Sequence, residues 1–283
     1  MYPQALTRIR LRWLALAAAL CIAAPAAAQQ ARDTITLPAD DRPRGLVSRE
    51  ELMTDRLRRL GVDNPDPAPT APRNRADSVA WQRGKRAAEQ ATGRRIVVSI
   101  YDRMLWLIDG RDTLLAAPAG VGMGEARRSG RSYDFSTPRG RRTVIGKEEN
   151  PIWTPPDWHY YGQHERVRQF PAGGVALDDG SRVVRRGDRM GILRGGEFEP
   201  LPPERPLMFN NTLYIPPFGT QNRRIPDVLG AYKLDTGDAI LIHGTNDPLA
   251  VGFWGTHGCV RLFDEDIEFL YENTRVGTAV YIY

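Results

Sequence analysis

Ile96-Val-Val-Ser-Ile-Tyr101 and Met104-Leu-Trp-Leu-Ile108 are runs rich in aliphatic and aromatic residues, and Asp109-Gly110 after the second is a hairpin signal. Residues 113–121 give a further strand candidate, so a β-sheet domain begins near Arg95. Downstream, Gly, Pro and Asp punctuate the chain every ten or so residues, with strand runs at 142–145, 239–242 and 278–283. That texture predicts a mainly β fold, a sandwich or a barrel-like sheet. One late helix is expected over 264–274, where three acidic residues favour the first turn and Ile267, Leu270 and Tyr271 form an apolar stripe. Residues 173–204 read as an inserted hairpin or two, with Asp179-Gly180 and Gly195-Gly196 turns and five interleaved arginines. The insertion reads equally as a substrate-facing flap or as a solvated elaboration.

Upstream of Arg95 the chain changes character. Residues 64–72 form a Pro-rich linker between two modest helical stretches, one opened by the capping-box spacing Ser48-Arg-Glu-Glu51 and one over 76–91 ended by Gly93. At the start, Arg8, Arg10 and Arg12 precede an apolar run of about a dozen residues, and Ala26-Ala27-Ala28 offers a cleavage site. The run is shorter than the roughly 20 residues a membrane span needs. The expected division is therefore a signal peptide (1–28), a helical and Pro-rich tether (29–93) and a catalytic domain (94–283), exported and with no stable membrane span after cleavage. Cleavage removes three arginines and no acids, reducing the formal charge from +5 to +2, so charge gives no argument for nucleic acid. It also removes Cys21 and leaves Cys259 as the single cysteine, which cannot form an internal disulfide.

The chemistry concentrates in Ile242-His-Gly-Thr-Asn-Asp-Pro-Leu-Ala-Val-Gly-Phe-Trp-Gly-Thr-His-Gly-Cys-Val-Arg-Leu262, which holds two of the four histidines, that cysteine and four glycines. A free thiol is only a few per cent ionised at neutral pH, so a nucleophilic cysteine needs a histidine to take its proton. Glycine beside the thiol lets backbone N–H groups reach the oxyanion of a tetrahedral intermediate.

These residues resemble the L,D-transpeptidase catalytic domain family, whose signature is a histidine, about a dozen residues, Ser or Thr before His-Gly-Cys, and Arg or Asn two positions on. Here those are His243, Thr256-His257-Gly258-Cys259 and Arg261. Thr137-Pro-Arg-Gly140, Trp153 with Pro155-Pro156, and Leu229-Gly230 extend the likeness over residues 95–283. The 173–204 segment and Asn222-Arg-Arg-Ile225 depart from it. The resemblance implies Cys259 as nucleophile, His243 as base, His257 and Gly258 framing the oxyanion, and Arg261 holding a substrate carboxylate or its own loop. It implies a periplasmic or cell-wall enzyme acting on peptidoglycan peptide stems through a thioester. The thioester is resolved by a second stem, by a wall-anchored protein, or by water in a hydrolase on the same scaffold. A non-catalytic wall-binding module is the remaining alternative.

No cofactor is expected. His243, His257 and Cys259 with His159 or His164 could be read as metal ligands, but no Cys-x-x-Cys or His-Glu-x-x-His spacing accompanies them. Trp153, Trp158 and Trp254 read as core or cleft walls.

Overall fold

The structure, a computed structural model, describes residues 72–128 and 130–283. The signal peptide, the 51–60 helical stretch and nearly all of the Pro-rich linker lie outside them. The hairpin read at Asp109-Gly110 forms: β1 (Arg95–Ser99) pairs antiparallel with β2 (Met104–Asp109), which pairs with β3 (Asp112–Pro118) across that turn, Gly110 taking φ 58°. The last strand, β20 (Ala279–Ile282), runs parallel to β1, and β7 (Gly140–Thr143) closes the edge, giving a five-stranded sheet ordered β3-β2-β1-β20-β7. Ile96, Val98, Leu105, Leu107, Leu115 and Val280 are fully buried. The domain is mainly β, as the turn spacing indicates, and the described residues contain two α-helices.

The first, α1 (Arg75–Gln90), starts at Asn74, whose side chain accepts from the Asp77 N–H, and packs Ala88 and Trp81 against Val97, Trp106, Tyr281 and Tyr283. No basic residue stands in its last turn; Arg95 of β1, 5% exposed, instead donates to Ala88 O (2.9 Å) and Gly93 O (3.0 Å). At its other end Asp77 accepts from Arg139 (2.6 Å) and from the Tyr101 hydroxyl.

The second sheet carries His243 and Arg261 of the motif. Its order is β19 (Val260–Arg261), β17 (Leu241–His243), β16 (Tyr232–Asp235) and β8 (Gly146–Glu149). Val260, Ile242 and Leu234 line up across it and are fully buried. The other helix, α2 (Asp264–Asn273), packs against β16 with Ile267 and Leu270 buried. On that face Lys147 of β8 donates to Tyr271 O and to Thr274 O (2.8 Å), serving the carbonyls at the C-terminus of α2. Strand β17 starts two residues later than the 239–242 run suggests, because Asp238 and Ala239 take left-handed φ of 53° and 58° in the turn before it. Likewise Ile145, read as a strand end, lies past β7 and is 59% exposed.

The remaining strands serve the loops. Short β4 (Val121–Gly122) pairs parallel with β18 (Trp254–Thr256), and β5 (Gly124–Arg128) with β6 (Arg131–Phe135) makes a hairpin. A three-stranded sheet is built from β9 (Val167–Gln169), β14 (Met208–Phe209) and β15 (Thr212–Ile215). The inserted segment is a four-stranded antiparallel meander, β10 (Val175–Ala176), β11 (Arg182–Arg186), β12 (Arg189–Arg194) and β13 (Glu197–Pro200). Its Val175, Val183, Met190 and Leu201 share a core with Leu207 and with Phe209 of β14.

The two departures from the family pattern are joined physically. Gln221 donates its N–H to Asp188 O (2.7 Å), and Asn222 accepts from the Met190 N–H (3.3 Å) and donates to Pro202 O (2.8 Å), gripping the meander. Arg223, 1% exposed, points the other way, donating to Pro155 O (2.9 Å), Pro216 O (2.8 Å) and Asp157 Oδ1 (2.5 Å), with the Phe218 ring 3.5 Å from its guanidinium carbon. A planar fork that satisfies three separate acceptors has no substitute among the other side chains. Arg223→Ala leaves those acceptors unpaired around a cavity and is expected to cost about 3 kcal/mol. Urea unfolding checks it: a lower midpoint at unchanged slope is expected, and a native midpoint contradicts it.

Candidate active site

Strand pairing decides where the motif side chains point. In β17–β19 the partners are Ile242 with Val260 and His243 with Arg261; in β16–β17 Lys233 faces His243, and in β8–β16 Glu148 faces Lys233. Paired residues share a face and neighbours alternate, so Arg261, His243, Lys233 and Glu148 form one row opposite the buried Val260–Ile242–Leu234 row. Lys233 is neutralised by Glu148 at 2.6 Å. Cys259 lies two residues before Arg261 and one turn of the pleat back, level with Leu241.

The Cys259 loop is held from both sides. Arg261 exchanges backbone hydrogen bonds with Gly120 (2.8 and 2.9 Å), and β18 lies on β4. Inside the loop the Thr256 hydroxyl donates to Cys259 O (2.6 Å) and accepts from the Gly258 N–H (3.3 Å). Gly258 has φ 114°, a conformation that side chains with a Cβ rarely adopt. The half-buried sulfur accepts from the Leu241 N–H (3.4 Å) and donates toward Ala239 O (3.8 Å). The left-handed Ala239 noted above thus aims its carbonyl at the thiol, a strained backbone placed beside a reactive group. Burial pushes the Cys259 thiol up, Asp235 adds to this, and the Leu241 N–H and Arg261 partly oppose it.

His243 is 3% exposed, and its Nδ1 lies 2.6 Å from Gly244 O. A carbonyl can only accept, so Nδ1 carries the proton and Nε2 presents a lone pair. Burial, then the Arg261 charge, lowers this imidazole to about 4 against the opposing Gly244 bond, with Lys233 lowering it further. At neutral pH the site therefore holds a thiol and a neutral imidazole. Both shifts disfavour the thiolate–imidazolium form at rest.

His257 has a different setting. Its ring stacks on Trp158 (centroids 4.1 Å apart, planes 26°) and meets the edge of Phe135 (4.6 Å, 90°). Arg128 Nη2 is 3.0 Å from its Nε2. Guanidinium only donates, so here Nε2 accepts and the proton sits on Nδ1. Burial first, then Arg128, Arg261 and His159, lowers His257 to about 4.

Trp158 is placed by its neighbours, since Asp157 is held by Arg223 and Trp153 lies 6.3 Å from the Trp158 ring. Trp254 leaves this cluster and tilts against Tyr101 at 6.1 Å. The motif residues His243, His257, Gly258, Cys259 and Arg261 thus converge. Thr256 of the quoted motif and Trp158, read as a core or cleft wall, surround them together with Phe135 and Arg128, to which the sequence reading assigns no role. The Trp-x-Pro-Pro likeness rests on Trp153, and Arg128 had no sequence signal. Among the described residues no three His, Cys, Asp or Glu side chains are grouped as metal ligands. His159 faces Trp153 at 4.8 Å, and His164 accepts from the Arg166 N–H (3.2 Å).

A family model described as YkuD, L,D-transpeptidase catalytic domain, matches residues 93–282. The probable L,D-transpeptidase YcfS of Escherichia coli K12 is 28% identical over 220 residues, 77% of this chain and 52% of that protein. The probable L,D-transpeptidase ErfK/SrfK of the same strain is 26% identical over 189 residues, 66% and 43% of the two chains. YbiS, also a probable L,D-transpeptidase, is 50% identical over 52 residues, 18% of this chain and 17% of that one. The chain spans about half or less of the length of the curated relatives it matches. Among solved structures, an L,D-transpeptidase from Xylanimonas cellulosilytica superposes with TM-score 0.38 at 14% identity, covering 87% of this chain and 100% of that one. L,D-transpeptidase 3 from Mycobacterium tuberculosis superposes with TM-score 0.36 at 16% identity, covering 67% and 60%. Matched by the family model over more than half of its length, the chain belongs to the L,D-transpeptidase catalytic domain family.

Proposed function

We propose that this chain is an exported peptidoglycan L,D-transpeptidase in which Cys259 is the nucleophile and His243 the base. The observation that carries the reading is the β17–β19 register, which sets the His243 imidazole, its Nε2 lone pair free, on the same face as the thiol two residues before Arg261. Sγ attacks the carbonyl of the L-configured centre of diaminopimelate in a tetrapeptide stem while Nε2 takes the thiol proton. Because the ion pair is costly at rest, proton transfer accompanies S–C bond formation instead of preceding it. The Gly258 N–H is already engaged by Thr256, so the Cys259 N–H is the donor proposed for the oxyanion. Collapse of the tetrahedral intermediate breaks the C–N bond, the proton held by His243 goes to the leaving amine, and D-alanine departs. The thioester is then attacked by an amine of a second stem, giving a 3→3 cross-link, or by an amine of a wall-anchored protein.

Signal-peptide cleavage after residue 28 and delivery to the periplasm belong to the same proposal. They are supported by the basic, apolar and small-residue order of the first 28 residues. No helix among the described residues is long and apolar enough to cross a membrane.

Intact-mass analysis after mixing with a tetrapeptide stem is expected to show an adduct equal to the stem less D-alanine, absent in Cys259→Ala, which folds as the native chain does. An adduct of the same mass on Cys259→Ala contradicts the assignment of the nucleophile. The base makes a separate prediction. With a pKa of about 4, His243 stays neutral as pH falls, so native acylation holds level from pH 7 to about 5 and then declines through about 4. A base at its ordinary value of 6.5 would lose most of its activity over that first interval. His243→Ala is expected to slow acylation at pH 7 by about 10²–10⁴-fold and to regain rate with rising pH. A folded His243→Ala acylating at the native rate removes His243 from the mechanism.

A further inference from the structure

The hairpin of β5 and β6 is laid across the Trp158–Tyr161 stretch. Arg131 stands 4.6 Å from the Tyr161 ring centre, Tyr133 stacks on Phe135 (5.5 Å), and Phe135 meets Trp158 (5.0 Å). Its base is fixed to the Cys259 loop's support: the Gly122 N–H donates to the Thr137 hydroxyl (2.8 Å), and a Cβ on Gly122 would lie 2.0 Å from Phe135 O. The hairpin therefore delivers the Arg128 guanidinium, 5.8 Å from the Phe135 ring centre, to a set place against His257.

Arg128 lies against a ring nitrogen and not a carboxylate. Arg94, Arg139, Arg142, Arg194 and Arg223 each pair with an aspartate. Among the described residues neither Arg128 nor Arg261 has a carboxylate within ion-pair distance; Arg128's hydrogen-bond partner is a neutral imidazole. Both also bury an Nε with no hydrogen-bond partner. A partly buried guanidinium is stabilised by an anion that fills its fork; Arg128 lies against His257, one residue from Gly258, and Arg261 is two residues from the thiol. A Cβ placed on Gly120 would meet both the Arg261 Cβ (3.3 Å) and the Thr256 methyl (3.6 Å), which sets Arg261 beside the residue before His257.

We propose that Arg128 and Arg261 form a two-guanidinium receptor for a carboxylate of the acyl-donor stem, with Arg128 the specificity-determining residue supplied by the β5–β6 hairpin. This rests on the transpeptidase reading for the identity of the ligand, though not for its charge. A tetrapeptide stem offers two such groups near the reacting carbonyl, the terminal D-alanine carboxylate and the second carboxyl of diaminopimelate. Filling the receptor would also offset the Arg261 charge, the next cause after burial that holds His243 low, so a correctly placed carboxylate makes His243 a better base as it docks.

The test separates ligand charge from thiol reactivity. Cys259 is alkylated at pH 7 with iodoacetate and with iodoacetamide, reagents that differ in carrying a carboxylate or a neutral amide, and the labelled site is read by peptide mass spectrometry. The ratio of the two rates cancels any change in the thiol itself. It is expected to fall about tenfold in Arg128→Gln and to recover in part in Arg128→Lys, which keeps the charge and loses the fork. An unchanged ratio in Arg128→Gln overturns the receptor. Stems amidated at the D-alanine or at the diaminopimelate carboxyl form the second arm. The amide at the recognised group is expected to slow native acylation about tenfold, and Arg128→Gln to erase that difference. Discrimination that survives in Arg128→Gln also overturns the receptor. Native enzyme left unacylated by every stem would instead remove the transpeptidase reading, and the alkylation ratio would still decide the receptor.

Discussion

Two residue pairs in a two-residue strand govern this site. When β19 pairs parallel to β17, setting Val260 beside Ile242 and Arg261 beside His243, the pleat alternation does the rest. Apolar side chains go to one face, where Ile267 and Leu270 are also buried, and the imidazole and guanidinium go to the other, with the thiol one pleat away. A shift of one residue would bury Arg261 among leucines and turn His243 away. The pairing is short, and the fold secures it from outside: Gly120 exchanges hydrogen bonds with Arg261, and Thr256 ties the turn that precedes it.

The electrostatics follow from that placement. A buried imidazole next to Arg261 and Lys233 has little reason to take a proton, and a buried thiol near Asp235, facing a carbonyl acceptor, has little reason to lose one. The resting groups are uncharged, which protects the Cys259 thiol from the oxidants that attack thiolates. The proposed donor carboxylate then supplies what the site lacks, an anion between two unpaired guanidiniums.

Much of this was legible in the chain. The Ile96–Tyr101 and Met104–Ile108 runs, Asp109-Gly110 and the helix starting at Asp264 fell where period and turn chemistry place them, because those are local preferences. The motif residues were legible by resemblance, and the structure gathers them. Ala239 was misread as strand because nothing in an alanine announces a left-handed backbone; its turn is imposed by Thr236, whose N–H and hydroxyl both bond Ile240 O. Arg128 and Arg223 were illegible for another reason. Each is one arginine among many, and what distinguishes them is a partner 129 or 66 positions away. The Asn222-Arg-Arg-Ile225 departure has a physical reason: Asn222 grips the inserted meander while Arg223 fastens the same turn to the loop that carries Trp158.

The claim on which the account depends most is that His243 rests neutral with its proton on Nδ1. Nitrogen-15 NMR of histidine-labelled enzyme, followed from pH 8 to pH 4, measures this directly. The account predicts a His243 resonance pair of the Nδ1–H tautomer that persists through pH 6 and titrates near 4, with Cys259 protonated throughout. An imidazolium at His243 at pH 6 to 7, or the Nε2–H tautomer, would contradict it.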